Sequence, residues 1–191
     1  MVVPFQIHHG VLQGAREVPS PNFNQRPTNT EIQLIVIHNI SLPPSQFGNP
    51  YIEAFFQNRL DYTVHPYFQT LKGLQVSAHL VILRTGEVIQ CVNFADRAWH
   101  AGRSTYLGKP ECNDYSIGIE LEGSDDTAFE PIQYEVLAHV VQAIQQEYPK
   151  AIHLAGHSDV APIRKTDPGP FFEWNHFRTL LRTIKSDALT K

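Results

Sequence analysis

Apolar residues fall in short runs along this chain, and the spacing inside each run changes from one stretch to the next. Residues 34–38, LIVIH, are continuously apolar up to the histidine, which predicts a strand covered on both faces. Residues 116–123, SIGIELEG, alternate strictly, so that Ile117, Ile119 and Leu121 share one face while Gly118, Glu120 and Glu122 share the other. HLVILRTGEVIQCV, residues 79–92, reads as a hairpin turning at Thr85-Gly86. Residues 131–149 carry Val136, Val140, Ile144 and Tyr148 at helical spacing, with Pro131 suited to the first turn and Pro149 marking the end. Further helices are expected in YIEAFFQNRL after Pro50 and in WNHFRTLLRTIK from Trp174, and a short strand in AIHLAGH, residues 151–157. PSPNFNQRPTNT, residues 19–30, is too rich in Pro, Asn and Thr for a helix, so residues 1–30 are expected to be an extended lead-in. Strands alternating with helices predict one α/β domain over residues 1–191, with a central sheet flanked by helices. The hairpin makes that sheet mixed.

Composition narrows the class of partner. The chain is 42% hydrophobic and 18% charged, ordinary for a globular core, and its net charge is -4. With no basic patch, neither nucleic acid nor an anionic membrane is an expected partner. The two cysteines, Cys91 and Cys112, form no CxxC and define no disulfide framework. The first basic residue is Arg16 and no apolar run approaches the ~18 residues of a membrane span, so a cytoplasmic monomer is expected. Ten histidines stand out against this background.

Candidate chemistry concentrates in HLAGHSDVAPIRKTDPGPFFEW, residues 153–174, where ionisable side chains sit between glycines and prolines. Loops on a rigid scaffold commonly carry binding and catalytic groups. Catalytic zinc sites use three protein ligands and leave a fourth position open. His38, at the end of its strand, with His157 and Asp167, ten apart on one loop, would supply two imidazoles and a carboxylate. On spacing alone, a lone histidine at a strand end is more often a structural, hydrogen-bonded residue than a ligand.

Read together, several motifs resemble the AmpD-type N-acetylmuramoyl-L-alanine amidases. They are VPSP with RP (18–21, 26–27), VIHNISLPP with FG (36–44, 47–48), VSAH (76–79), RAWHAG (97–102), CNDYSIGIELEG (112–123) and AGHSDVAPIRKTDPGPFFEW (155–174). The wider superfamily includes phage amidases and peptidoglycan recognition proteins, some with Cys where Asp167 stands here. The resemblance implies one Zn2+ on His38, His157 and Asp167, holding a water whose pKa falls towards ~7. It places a catalytic Glu at Glu120, which the alternation also puts off the core face, as general base. Glu122 is read as a solvent-facing carboxylate at the strand end. Lys165, two residues before Asp167 on an extended segment, is assigned to the developing oxyanion. Relatives carry Tyr before the histidine of VSAH, and Ala78 stands there instead, which puts more weight on Glu120.

Expected substrate contacts are Asn39, Trp99 with His100, Asn113 and Arg164, the last pairing with a stem-peptide carboxylate. His79 is assigned to the same wall, with a structural histidine as the alternative. The function expected from the resemblance is hydrolysis of the amide between the lactyl group of N-acetylmuramic acid and L-alanine. Its substrates would be soluble 1,6-anhydro-muropeptides in peptidoglycan recycling, and its loss would raise inducible β-lactamase. A non-catalytic peptidoglycan-binding module and an exported murein amidase are the alternatives.

Overall fold

The computed structural model describes residues 5–189. The first four residues of the expected lead-in and the last two of the expected domain lie outside that range. Among the described residues the main sheet has six strands: β1 (Arg16–Glu17), β2 (Leu34–Ile40), β3 (Leu80–Ile82), β4 (Val88–Gln90), β5 (Ser116–Glu122) and β6 (His153–Gly156). Their order across the sheet is β6-β2-β5-β3-β4-β1. Strands β6, β2, β5 and β3 run parallel, β3 and β4 form the antiparallel hairpin, and β1 adds in parallel at the edge. This is the mixed sheet that the hairpin implied, in a single α/β domain.

The lead-in is more ordered than its composition suggests. Ile7–His8 pairs with Val11–Leu12, Arg16–Glu17 joins the sheet, and Phe23–Gln25 pairs antiparallel with Asp96–Ala98. Arg26 anchors its end. The guanidinium is buried and donates to the carbonyls of Phe94, Asn113, Asp114 and Ser116. Charge-assisted bonds of this kind hold the polar 19–30 stretch, while Ile7 and Leu12 earlier in the lead-in pack into the larger core.

Two helices cover one face of the sheet, α3 (Pro131–Glu147) and α5 (Trp174–Leu189). Glu130 and Gln133 close a reciprocal capping box at the start of α3, and Pro131 occupies the first turn. Val136, Leu137, Val140, Val141 and Ile144 pack with Ile35, Ile37, Ile117, Ile119 and Leu121 into the larger core. Each such side chain contributes ~1.5–3 kcal/mol when fully buried, so this face, not local propensity, holds the helix.

The opposite face carries the shorter elements: α1 (Tyr51–Phe56), a 3₁₀ turn (Pro66–Leu71), α2 (Cys112–Tyr115) and α4 (His157–Val160). The expected helix after Pro50 is thus shorter than its sequence window, ending at Phe56. Because both faces are covered, all seven residues of β5 are buried, and alternation there sorts apolar from functional groups, not inside from outside. Glu122 corrects the expectation of a solvent-facing carboxylate. It is 2% exposed, and its two oxygens accept from Gly48 N at 2.6 Å and Arg84 N at 3.0 Å. Those two bonds tether the 41–50 loop and the hairpin turn to the sheet. No helix among the described residues is long and apolar enough to cross a membrane.

Candidate active site and metal centre

Strand register delivers the central groups. Glu120 on β5 is the lateral partner of His38 on β2, and Gly156 at the end of β6 is the partner of Ile37. His157, the next residue, therefore emerges beside His38. Three adjacent parallel strands present their carboxyl ends to one spot, the usual location of a site in an open α/β sheet. Asp167 returns to it across the loop after α4. Gly169 closes that loop at φ +81°, where a Cβ would come within 2.5 Å of Asp125 Oδ1, so a side chain would push the loop away.

His38 Nδ1 lies 3.0 Å from His157 Nδ1 and 3.1 Å from Asp167 Oδ2, and His157 Nδ1 lies 3.0 Å from the same oxygen. Ligands at about 2.0–2.2 Å from a tetrahedral ion stand roughly 3.3–3.5 Å apart, so this triangle is close to one face of such a site. The protonation states also suit a cation. Burial pushes the His38 imidazole down to about 4, against the opposing pull of the Asp167 carboxylate. Burial alone would raise Asp167, but the imidazoles of His157 and His38 set against its Oδ2 outweigh that and hold it well below the usual carboxylate range. Neutral imidazole and ionised carboxylate are the ligand forms. The donor set and its geometry therefore fit a divalent metal among His38, His157 and Asp167.

A cleft of about 650 Å³ opens in front of this triangle. Glu120 faces it with one oxygen 4.0 Å from His38 Nδ1 and the other, Oε2, buried without a hydrogen-bond partner. Burial, and then the Asp167 charge, raise its carboxyl well above the ordinary range, while Lys165 opposes them. Lys165 lines the same cleft, together with Asn39, Trp99 and Arg164. Asn39 spends its amide on Asp125 Oδ1 at 2.7 Å and Pro168 O at 3.0 Å. Trp99 is oriented by its Nε1 bond to Asn24 Oδ1. Arg164 donates to the carbonyls of Ala101 and Arg103 through one nitrogen.

Three expected contacts are engaged within the protein itself. His79 does not line the cleft. It is 0% exposed, Nδ1 accepts from Gly118 N at 3.0 Å, and Nε2 faces Asp96 O at 3.1 Å. This corrects its assignment to the wall, because no ring atom is left for a substrate. His100 borders the cleft, but both its nitrogens are taken, by His38 Nε2 and Ser116 Oγ, each at 3.0 Å. Asn113 Oδ1 is likewise occupied by His100 N and Ala101 N. Several wall residues escaped the motif reading, Tyr67, Leu71 and Leu74 among them. Tyr67, on the 3₁₀ turn, is 36% exposed and faces the cleft beside Leu71 and Leu74. HPYFQTL has no catalytic spacing to mark it, and only folding carries it there.

A family model described as N-acetylmuramoyl-L-alanine amidase matches residues 28–170, and the chain belongs to this family. The likeness to AmpD proteins spans nearly the whole length. The 1,6-anhydro-N-acetylmuramyl-L-alanine amidase AmpD of Escherichia coli (strain K12) is 51% identical over 176 residues, covering 92% of this chain and 96% of that protein. The AmpD of Citrobacter freundii is 51% identical over 185 residues, with 96% and 99% covered. Among solved structures, the crystal structure of a Se-Met AmpD derivative superposes with a TM-score of 0.90 at 50% identity, covering 92% of this chain and 98% of that one. The AmiD amidase of E. coli, solved with the substrate anhydro-N-acetylmuramic acid-L-Ala-D-gamma-Glu-L-Lys, gives 0.58 at 26% identity, with 93% and 65% covered. Within its family the chain is an amidase of the AmpD type, which sets aside the non-catalytic binding module.

Proposed function

We propose that this amidase uses one zinc ion on His38, His157 and Asp167 to hydrolyse the amide joining the lactyl group of 1,6-anhydro-N-acetylmuramic acid to L-alanine. The observation that supports it is the convergence of those three ligand atoms at the floor of a cleft that also holds Glu120 and Lys165. Zinc bound there supplies a water of lowered pKa and polarises the scissile carbonyl.

The side chains supply the rest. Glu120, whose Oε2 is desolvated and unpaired, takes the proton from the attacking water and hands it to the amide nitrogen as the C–N bond breaks. Lys165 Nζ donates to the carbonyl oxygen as charge gathers on it. The products are the lactyl carboxylate and a free L-alanyl amine. Trp99, Tyr67, Leu71 and Leu74 offer an apolar wall for the sugar, and Asn39 Oδ1 and Arg164 offer polar contacts to the stem. Relatives solved with anhydro-muropeptides support that class of ligand. The same reading makes the protein a cytoplasmic monomer serving peptidoglycan recycling, with its loss raising inducible β-lactamase; AmpD relatives at about 50% identity favour it over an exported murein amidase.

Zinc content and anhydro-muropeptide turnover of His157→Ala beside wild type test the proposal. Both are expected to vanish while the circular dichroism spectrum is retained. Turnover at the parental rate would remove the ligand assignment.

A further inference from the structure

Both ligand imidazoles are held from behind by one dipeptide. His157 Nε2 lies 3.2 Å from Ala101 O, and His38 Nε2 lies 3.0 Å from His100 Nδ1. A carbonyl only accepts, so His157 carries its proton on Nε2 and presents a bare Nδ1 to the ligand triangle. For His38 the direction follows from further back. Ser116 Oγ donates to Cys112 O at 2.6 Å, so towards His100 Nε2, at 3.0 Å, it accepts. With its proton on Nε2, His100 accepts at Nδ1, and His38 Nε2 must donate. His38 Nδ1 is then bare as well.

The dipeptide is itself fixed. Asn113 Oδ1 accepts from His100 N at 3.2 Å and Ala101 N at 2.7 Å. Arg164 donates to Ala101 O at 2.7 Å, the second bond on that carbonyl. Gly118 leaves the room the ring needs, since a Cβ there would lie 2.4 Å from His100 Cγ. Ala101 and Ser116 are fully buried, and Asn113 is 5% exposed.

We infer that His100-Ala101 is a bracket that sets the tautomer and aim of both metal-ligating histidines, and that Asn113 and Ser116 are positioning residues acting through it. The inference rests on the metal-centre reading proposed above. It gives His100 and Asn113 a different role from the substrate contact their motifs suggested. Partners that orient metal-bound histidines typically govern metal affinity by about 10–100-fold.

The test is zinc affinity of the chelator-stripped chain, by competition with a chromophoric chelator, for wild type, His157→Ala, Ser116→Ala and Asn113→Ala. Wild type is expected to take up one zinc and His157→Ala none, with Ser116→Ala and Asn113→Ala weakened by about 10–100-fold. The metal-free melting temperatures of the last two should stay within roughly ten degrees of wild type, as for loss of one or two hydrogen bonds. At saturating zinc, Ser116→Ala should keep the wild-type KM for an anhydro-muropeptide, because Ser116 reaches no substrate. Parental zinc affinity in both variants overturns the bracket, as does a raised KM with zinc affinity intact. Weakening that merely tracks collapse of the metal-free fold also overturns it, by reducing these residues to folding alone. A wild-type chain that binds no zinc removes the metal reading itself, and shows this before any variant is compared.

Discussion

His79→Asn separates a buried structural histidine from a substrate contact by pH alone. In the wild type the ring is fully buried, with Gly118 N donating to Nδ1 and Nε2 donating to Asp96 O. Burial, and then the Arg26 guanidinium 3.1 Å from Nε2, push its pKa from 6.5 down to about 3. The unfolded chain therefore binds a proton that the folded chain refuses between those two values. Stability from this group is full above pH 6.5 and is lost as pH falls towards 3. Between about pH 7 and about pH 5.5 the loss is on the order of 1 kcal/mol, with a similar cost for each further unit. Other groups titrate in the same range, Glu120 with the opposite sign, so the difference between two proteins is the useful quantity. Asparagine Oδ1 can still accept from Gly118 N but does not titrate. Urea unfolding of chelator-treated protein at the two pH values should show wild type losing about 1 kcal/mol more than His79→Asn. Equal losses would show that His79 is protonated in the fold, and the buried, neutral assignment would be wrong.

Glu120→Gln keeps the shape of the proton carrier and should lower kcat by about 10²–10⁴ with zinc content unchanged; near-parental kcat points to another base. Lys165→Ala should lower kcat by about 10²–10³ while KM and zinc content hold, as steady-state kinetics with metal analysis would show. Gly118→Ala forces a methyl into His100 and should cost about 1–3 kcal/mol by thermal denaturation, with weaker zinc binding; an unchanged melting curve means the ring has room to retreat. Treating wild type with a chelator should abolish turnover, and restoring zinc alone should recover it.

Much of the fold lay open in the periodicities. An apolar run marked β2, strict alternation marked β5, the Thr85-Gly86 turn marked the hairpin, and the spacing from Val136 to Tyr148 marked α3. What stayed hidden was lateral order. Nothing in VIHN or GIELEG states that their strands are neighbours, yet that adjacency is why Glu120 stands opposite His38. The histidines were legible as a set but not by role. Spacing does not separate His100, which stands behind His38, from His157, which joins the triangle of candidate ligand atoms, because the difference lies in which nitrogen meets which neighbour. His79 was misplaced for the same reason: the motif places it near the site, and only burial shows that both its nitrogens are spent. Tyr67 went unread because a 3₁₀ turn lends its residues no long-range periodicity.

The strictest link between sequence and chemistry runs along the second face of β5. Gly118, Glu120 and Glu122 are two residues apart, and at about 3.3 Å per residue the three positions span roughly 13 Å. Gly118 leaves space for the ring that supports His38, Glu120 reaches the cleft, and Glu122 ties the 41–50 loop and the hairpin turn to the sheet. One strand thus connects the back of the His38–His157–Asp167 triangle to the loop that walls the cleft. A slip of one residue would turn Ile117, Ile119 and Leu121 onto this face and bury two carboxylates against α3. Packing of those three side chains in the larger core opposes such a slip. The apolar half of SIGIELEG therefore fixes the register on which its polar half depends.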